Sequence, residues 1–289
     1  MRTLLICHDD APLDREGMAR WLGSFSTFAG TVVIREPAAR LRRRITRELE
    51  RVGPARMLDV LAFRAFYALT RARADRRWID EQLDRLRQRY PARPLAPELI
   101  VSTPNSSDAA RFVREARPDL IIARCKTLLK ESVFSIPRFG TFVMHPGICP
   151  DYRNAHGCFW AMANGDHENV GMTLLRIDKG VDTGPVFGHF RITPDPSESH
   201  VVTEHRAALE HLDRVASVLR DVAAGRAQPI DTKGRPSAAW GQPWLSVYIR
   251  MRLARPPRAQ ARVAAFALSA LRRASPKLAE LRPERRRET

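Results

Sequence analysis
The sequence predicts an α/β domain built on a mostly parallel, twisted sheet with helices on its flanks. Two observations predict it. Short apolar or β-branched runs recur at residues 4–7, 31–34, 99–102, 119–123 and 141–144, each fit for a strand buried on both faces and too short for a helix. Between them lie segments with apolar residues at three- and four-residue steps. Strands alternating with helices pack as a parallel sheet whose reacting groups sit at the strands' C-terminal ends.

The elements follow in chain order. Leu4-Leu5-Ile6-Cys7 forms the first strand and ends in His8-Asp9-Asp10, after which Met18, Trp21, Leu22 and Phe25 set a helix between Asp14 and Phe25. Thr31-Val32-Val33-Ile34 is the second strand. Residues 37–97 then intervene, far more than an ordinary crossover loop, so this stretch must have structure of its own. Leu41, Ile45, Leu49 and Val52 recur at helical steps, and Trp78, Leu83, Leu86 and Tyr90 mark a later helix. Between these, residues 57–69 are apolar nearly all round, with Arg71, Arg73, Arg76 and Arg77 behind them. Packed on the core, this is a helical insertion; exposed, it would lie on a membrane or grip a partner.

Leu99-Ile100-Val101-Ser102 is the third strand, and Ser107 and Asp108 cap a helix carrying Ala109, Phe112, Val113 and Ala116 that stops before Pro118. Residues 119–123 and 141–144 are the next two strands, residues 171–175 a further one, and an acidic, glycine-punctuated loop from Asp178 leads to another. Residues 203–224 read as one more helix, followed by turns at Gly225, Pro229, Gly234 and Pro236. Residues 259–273 carry Val263, Phe266, Leu268 and Leu271 on one face as a final amphipathic helix. The expected organisation is a domain over residues 1–205 with the insertion at 37–97, and a helical, basic extension over 206–289.

Lys and Arg number 49 against 32 Asp and Glu, a formal charge of +17, and residues 250–289 hold twelve basic residues against three acids. Such a surplus suits a nucleic acid, a membrane surface or an anionic ligand. Arginine replaces lysine almost throughout, so solvated helix faces and a basic tail account for much of it. The four cysteines show no C-x-x-C spacing, which argues against a zinc site, a dithiol or a disulfide framework and for a reducing cytoplasm. The first apolar run is too short for a secretion signal, and no apolar stretch reaches the roughly 20 residues that cross a bilayer. Peripheral membrane contact remains open.

Chemistry concentrates after the strand at 141–144, in His145-Pro146-Gly147-Ile148-Cys149-Pro150-Asp151-Tyr152-Arg153-Asn154-Ala155-His156-Gly157. A histidine leaving a buried strand into a Pro/Gly loop stands where α/β enzymes place reacting groups. An imidazole that takes a proton from an amine needs a carboxylate to fix its tautomer and stabilise its charged form, and Asp182 or Asp178 would supply it.

These residues resemble the folate-dependent formyltransferases, which include glycinamide ribonucleotide, methionyl-tRNA and amino-sugar formyltransferases. The resemblance lies in His145, Pro146, Pro150, Tyr152 and Arg153; in Trp160, Ala161, Asn164 and Gly165; in Gly171 and Thr173; and in Asp178, Gly180, Asp182, Gly184 and Pro185. It runs well over residues 99–202, extends plausibly to the first strand and helix, and hardly touches the insertion or the tail.

The resemblance implies a formyltransferase-like Rossmann-type domain that takes 10-formyltetrahydrofolate as formyl donor and moves the formyl carbon to a primary amine. It makes His145 the proton carrier and Asp182 its orienting carboxylate. Arg124, Cys125, Lys126, Thr127 and Leu128 would form one wall for the pterin, Gly180 and Val181 the other, and Tyr152 and Arg153 would meet the acceptor. The family's asparagine, two residues before the histidine, helps hold the oxyanion; here that position is Val143. Asn154, His156 or protonated His145 would have to replace it. The expected acceptor is a small amine such as a nucleotide-linked amino sugar. Few aromatics are available for base stacking, and no appended β-barrel pattern is visible, which argues against nucleic acid. A catalytically silent binding protein of the same fold and a 10-formyltetrahydrofolate hydrolase are the competing readings.

Overall fold
The computed structural model describes residues 1–253, apart from the side chains of residues 40–44 and 47. The chain divides into two compact units, Met1–Leu245 and Ser246–Thr289. The first runs well beyond the boundary expected at residue 205. Of the second, only residues 246–253 are described, within the helix Leu245–Leu253. The amphipathic helix expected at 259–273 lies outside the described residues.

The first unit is organised by a seven-stranded sheet. Its strands are β1 (Arg2–His8), β2 (Thr27–Ile34), β3 (Glu98–Val101), β4 (Leu120–Arg124), β5 (Thr141–His145), β7 (Gly171–Arg176) and β8 (Val186–Arg191), in the order β3-β2-β1-β4-β5-β7-β8. The pairings from β3 to β5 are parallel, and β7 and β8 add antiparallel strands at one edge. Leu4, Leu5, Ile6 and Cys7 are all fully buried, as expected of a central parallel strand covered on both faces. On one face, Leu4, Ile6, Val32, Ile121 and Ala123 pack with Ala109, Ala110 and Val113 of helix α4 (Ser107–Ala116). The cap of α4 is Ser106, one residue before the pair read from the sequence; its hydroxyl accepts from the Ala109 N–H at 3.2 Å.

The helix expected between Asp14 and Phe25 forms as a π-helical turn, Leu13–Met18, running into α1 (Ala19–Gly23). The buried Trp21 indole donates to the Leu212 carbonyl at 3.2 Å, tying α1 to α8 (Leu212–Ala223). Residues 203–224 are thus two helices, α7 (His200–Leu209) and α8, broken at Glu210 and His211.

The insertion is helical and folds onto the core. Helix α2 (Ala38–Thr70) kinks at Gly53, whose φ of 77° lies in the left-handed region, just ahead of Pro54. It buries Met57, Val60 and Phe63, and Phe63 packs 5.7 Å from Phe159 and 5.2 Å from His200. Helix α3 (Ala72–Arg89) seats Leu83 and Leu86 against Gly17. A Cβ on Gly17 would fall 2.6 Å from the Leu86 methyl, so glycine permits that approach. No described helix is long and apolar enough to cross a membrane.

Two further helices frame the site: α5 (Glu131–Phe134) after β4, and α6 (Gly157–Ala163) after β5. A short parallel pair, β6 (Arg153–Asn154) with β9 (Ala239–Trp240), lies outside the main sheet and was not legible in the sequence. The last described helix, Leu245–Leu253, is α9.

Candidate active site
His145 is the last residue of β5 and is 3% exposed. Its position follows from the register: it sits opposite Thr173 of β7. The Thr173 hydroxyl donates to the Gly147 carbonyl at 2.6 Å and accepts from the Cys149 N–H at 2.9 Å, stapling the loop to the sheet. Gly147 is required there, because a Cβ would lie 2.4 Å from the Tyr152 carbonyl oxygen.

Both nitrogens of the His145 ring face acceptors. Nε2 lies 2.8 Å from the Tyr152 carbonyl and Nδ1 3.4 Å from Asp182 Oδ2. Burial works against a charged ring, but the Cys149 thiol, Asp182 and the Tyr152 carbonyl together outweigh it and lift its pKa to about 9. The Tyr152 carbonyl at Nε2 and the Asp182 carboxylate beside Nδ1 both favour the protonated ring.

Asp182 is held at φ 51° and accepts the Asn154 N–H at 2.8 Å. Asp178, the other carboxylate considered, caps its own loop instead, accepting from the Gly180 N–H at 2.9 Å and the Thr183 hydroxyl at 2.8 Å. The Asn154 amide donates to the Trp240 carbonyl at 2.5 Å, at a residue with φ 78°. It therefore fixes the β6–β9 pair. His156 begins α6 with φ 55°, its Nδ1 2.9 Å from Glu204 Oε1 and its ring 5.3 Å from that of His200. Burial opposes the Glu204 carboxylate, but His156 beside it holds its pKa below the usual range.

Tyr152 and Arg153, expected on the acceptor, spend their polar groups inside the protein. The Tyr152 hydroxyl donates to Asp166 at 2.9 Å, and the ring stacks on Trp240, which stacks on Trp160. Arg153 donates to the Val181 carbonyl at 2.9 Å and to Ser237 at 3.1 Å, so it braces the Asp182 loop.

The two expected pterin walls stand on neighbouring loops. Lys179 and Glu131 pair at 3.0 Å, linking the Gly180–Val181 loop to the start of α5. Arg124 is committed: it donates to Asp14 at 2.9 Å and to the Met144 carbonyl at 2.8 Å. The Lys126 N–H donates to His8, Cys125 contacts the Thr127 carbonyl, and the Thr127 hydroxyl donates to Glu36. Burial raises the Cys125 thiol to about 11, so it is no thiolate nucleophile. Leu128 is exposed, and its carbonyl is fixed by the Asn105 amide at 2.8 Å. A cavity of about 150 Å³ opens beside Asp182, Cys149 and Arg153, smaller than the ~300 Å³ typical of small-molecule sites. A larger one of about 330 Å³, between β8 and α8, contains none of these residues and is set aside.

Sequence reasoning missed Glu204, Asn105 and Trp240. Glu204 alone left a signal: His200 and Glu204 stand four residues apart on one helical face.

The mostly parallel sheet places a buried histidine at the end of β5, with an aspartate against it from a glycine-punctuated loop. Residues 81–215 match the family described as Formyl transferase. Methionyl-tRNA formyltransferase from Thermotoga maritima is 37% identical over 113 residues, covering 39% of this chain and 34% of that protein. The enzyme of the same name from Chlorobium chlorochromatii is 32% identical over 123 residues, 43% of this chain and 39% of that one. The chain thus spans little more than a third of the length of these relatives.

Among solved structures, phosphoribosylglycinamide formyltransferase from Anaplasma phagocytophilum superposes with a TM-score of 0.51 at 12% identity, over 84% of this chain and 99% of that one. A sugar N-formyltransferase from a Shewanella species gives 0.50 at 12% identity, over 83% and 76%. At such identities the likeness concerns the fold, which is the one the sequence predicts.

Proposed function
We propose that this protein transfers a formyl group from 10-formyltetrahydrofolate to a primary amine of a small acceptor. One observation carries the reading: His145, buried at the end of β5, stands against the Asp182 carboxylate at 3.4 Å with its pKa raised to about 9. The donor suits the loops beside it. Exposed Leu128 and half-buried Val181 offer apolar surface for a flat ring, backbone groups can meet its edge, and Lys126 is exposed for an anionic tail.

In the proposed reaction the amine lone pair forms the C–N bond to the formyl carbon, and the carbonyl π pair moves to oxygen. The charged His145 faces that developing oxyanion. Collapse expels the folate nitrogen, which takes a proton from His145, while the ammonium nitrogen returns one to the ring, leaving it as it began. Asp182 favours the charged ring at the start of the cycle and its reprotonation at the end. On the acceptor side, His156 and Glu204 supply an imidazole and a carboxylate suited to an amine. Glu204 fixes His156 Nδ1, so Nε2 is the nitrogen left to meet the acceptor.

The test is formyl release from 10-formyltetrahydrofolate across a panel of amines, including nucleotide-linked amino sugars and aminoacyl esters. Turnover with one amine that His145→Ala abolishes is the expected result. Folate binding without release for any amine would leave a binding protein, and release without an amine a hydrolase.

A further inference from the structure
Between Pro54 and Thr70 helix α2 is apolar on two faces, and among the described residues only one of them is covered. Met57, Val60 and Phe63 face the core. Leu58, Leu61, Ala62, Ala65 and Leu69 share the other side, within about 100° of the helix surface by α-helical geometry. All are exposed, Leu58 at 68% and Leu69 at 86%. The only acid between Pro54 and Thr70 is Asp59, which is half-buried. Arg73, Arg76 and Arg77 follow on the exposed side of α3, with Arg56 and Arg64 on α2 itself. Arg56 lies over the Trp244 ring and Arg64 donates to Gln242; none of the five is paired with an acid among the described residues.

We propose that this face of α2 docks the protein on an anionic lipid bilayer. The leucines enter the boundary between headgroups and acyl chains, and the arginines meet lipid phosphates. Three features favour this occupant over a second copy of the chain. The leucines are spaced by alanines, which makes a low, smooth strip rather than interlocking knobs. The strip lacks exposed acid, so an isologous pairing would set arginines against arginines. Apolar residues flanked by arginines that have no acidic partner among the described residues match the composition of helices that lie in the plane of a membrane interface. This surface is independent of the formyl-transfer reading, and its test uses no activity.

The experiment is co-sedimentation of the full chain with phosphatidylcholine vesicles and with vesicles containing phosphatidylglycerol, across a salt series. Binding to the anionic vesicles alone, weakened by salt, is expected. The double variant Leu58→Asp/Leu61→Asp keeps the basic tail and changes only exposed side chains; it should bind at least tenfold more weakly with an unchanged circular dichroism spectrum. Arg73→Ala/Arg76→Ala/Arg77→Ala should bind several-fold more weakly. Equal binding by the wild type and the leucine variant overturns the proposal, as does absence of binding to anionic vesicles. A dimer in light scattering that the leucine variant dissolves, without vesicle binding, assigns the face to a second copy and also overturns it.

Discussion

Replacing His145 with glutamine removes a ring whose pKa is about 9 in the folded protein and about 6.5 in an unfolded chain. At about 1.4 kcal/mol per pH unit between those values, the ring contributes about 3 kcal/mol to stability when both states carry the charge. The side chain is only 4% exposed, so solvent screening takes little from that figure. Below pH 6.5 the contribution is complete. As the pH rises from there the unfolded ring loses its proton while the folded ring keeps it, so the contribution fades and is gone above about pH 9. Urea unfolding of the wild type and His145→Gln, at pH 6 and pH 9.5, should show their stability difference shrinking by about 3 kcal/mol at the higher pH. A difference that stays constant, or that grows with pH, would refute the charged-ring account. A nuclear magnetic resonance titration of the ring should give a midpoint near 9, moving down in Asp182→Asn, which removes the carboxylate beside Nδ1.

Three further substitutions probe the machinery around the ring. Thr173→Val leaves the buried Gly147 carbonyl and Cys149 N–H without their partner, at about 1–3 kcal/mol each, and should lower both the urea midpoint and kcat by displacing the His145 loop. Val143→Asn restores an amide donor two residues before His145 on the same side of β5; turnover should rise by up to about 10²-fold while the melting temperature falls, because Val143 packs on Cys149, Leu175 and Val186. Asn154→Gly keeps the left-handed backbone and removes the amide, and kcat should stay within a few-fold of wild type; a loss near 10²-fold would return the oxyanion role to Asn154.

The inner strands were legible because they are buried on both faces, which leaves no polar alternation to confuse with a helix: every residue from Leu4 to Cys7 is inaccessible, whereas the edge strand β3, expected to be equally buried, leaves Ile100 47% exposed. The insertion was legible as helix but not in its orientation. Residues 57–69 are apolar on both sides, and only the docking of Phe63 on Phe159 and His200 decides which side is buried. The β6–β9 pair was invisible because two residues per strand carry no periodicity, and its pairing depends on Asn154 adopting a left-handed backbone. The break between α7 and α8 went unread for a similar reason: Glu210 and His211 are ordinary helix-surface residues, and His211 leaves the pattern beside the Arg191 carbonyl, across the chain.

At the site, side chains with a fixed chemical job were legible and backbone partners were not. His145 stood out by type and position and an acidic partner by its loop, with the resemblance choosing Asp182 over Asp178, whereas the nearest acceptor to His145 is the Tyr152 carbonyl, to which the identity of residue 152 gives no clue. That carbonyl bears on the missing asparagine. A neutral ring would offer one N–H and no net charge, so it would stabilise the oxyanion less than an imidazolium does. With the Tyr152 carbonyl at one nitrogen and the Asp182 carboxylate beside the other, the charged ring is favoured, and in the proposed reaction it would meet the oxyanion with a positive charge before any proton has moved. Val143 can then serve as apolar packing under Cys149 and Val186 without leaving the oxyanion unattended. The dependence of turnover on pH should follow from this: activity at a donor-saturating concentration falls as pH rises through about 9, as His145 loses its charge, and Val143→Asn flattens that fall because the restored amide does not titrate. An identical alkaline limb in the two proteins would mean that the charge on His145 does not hold the oxyanion.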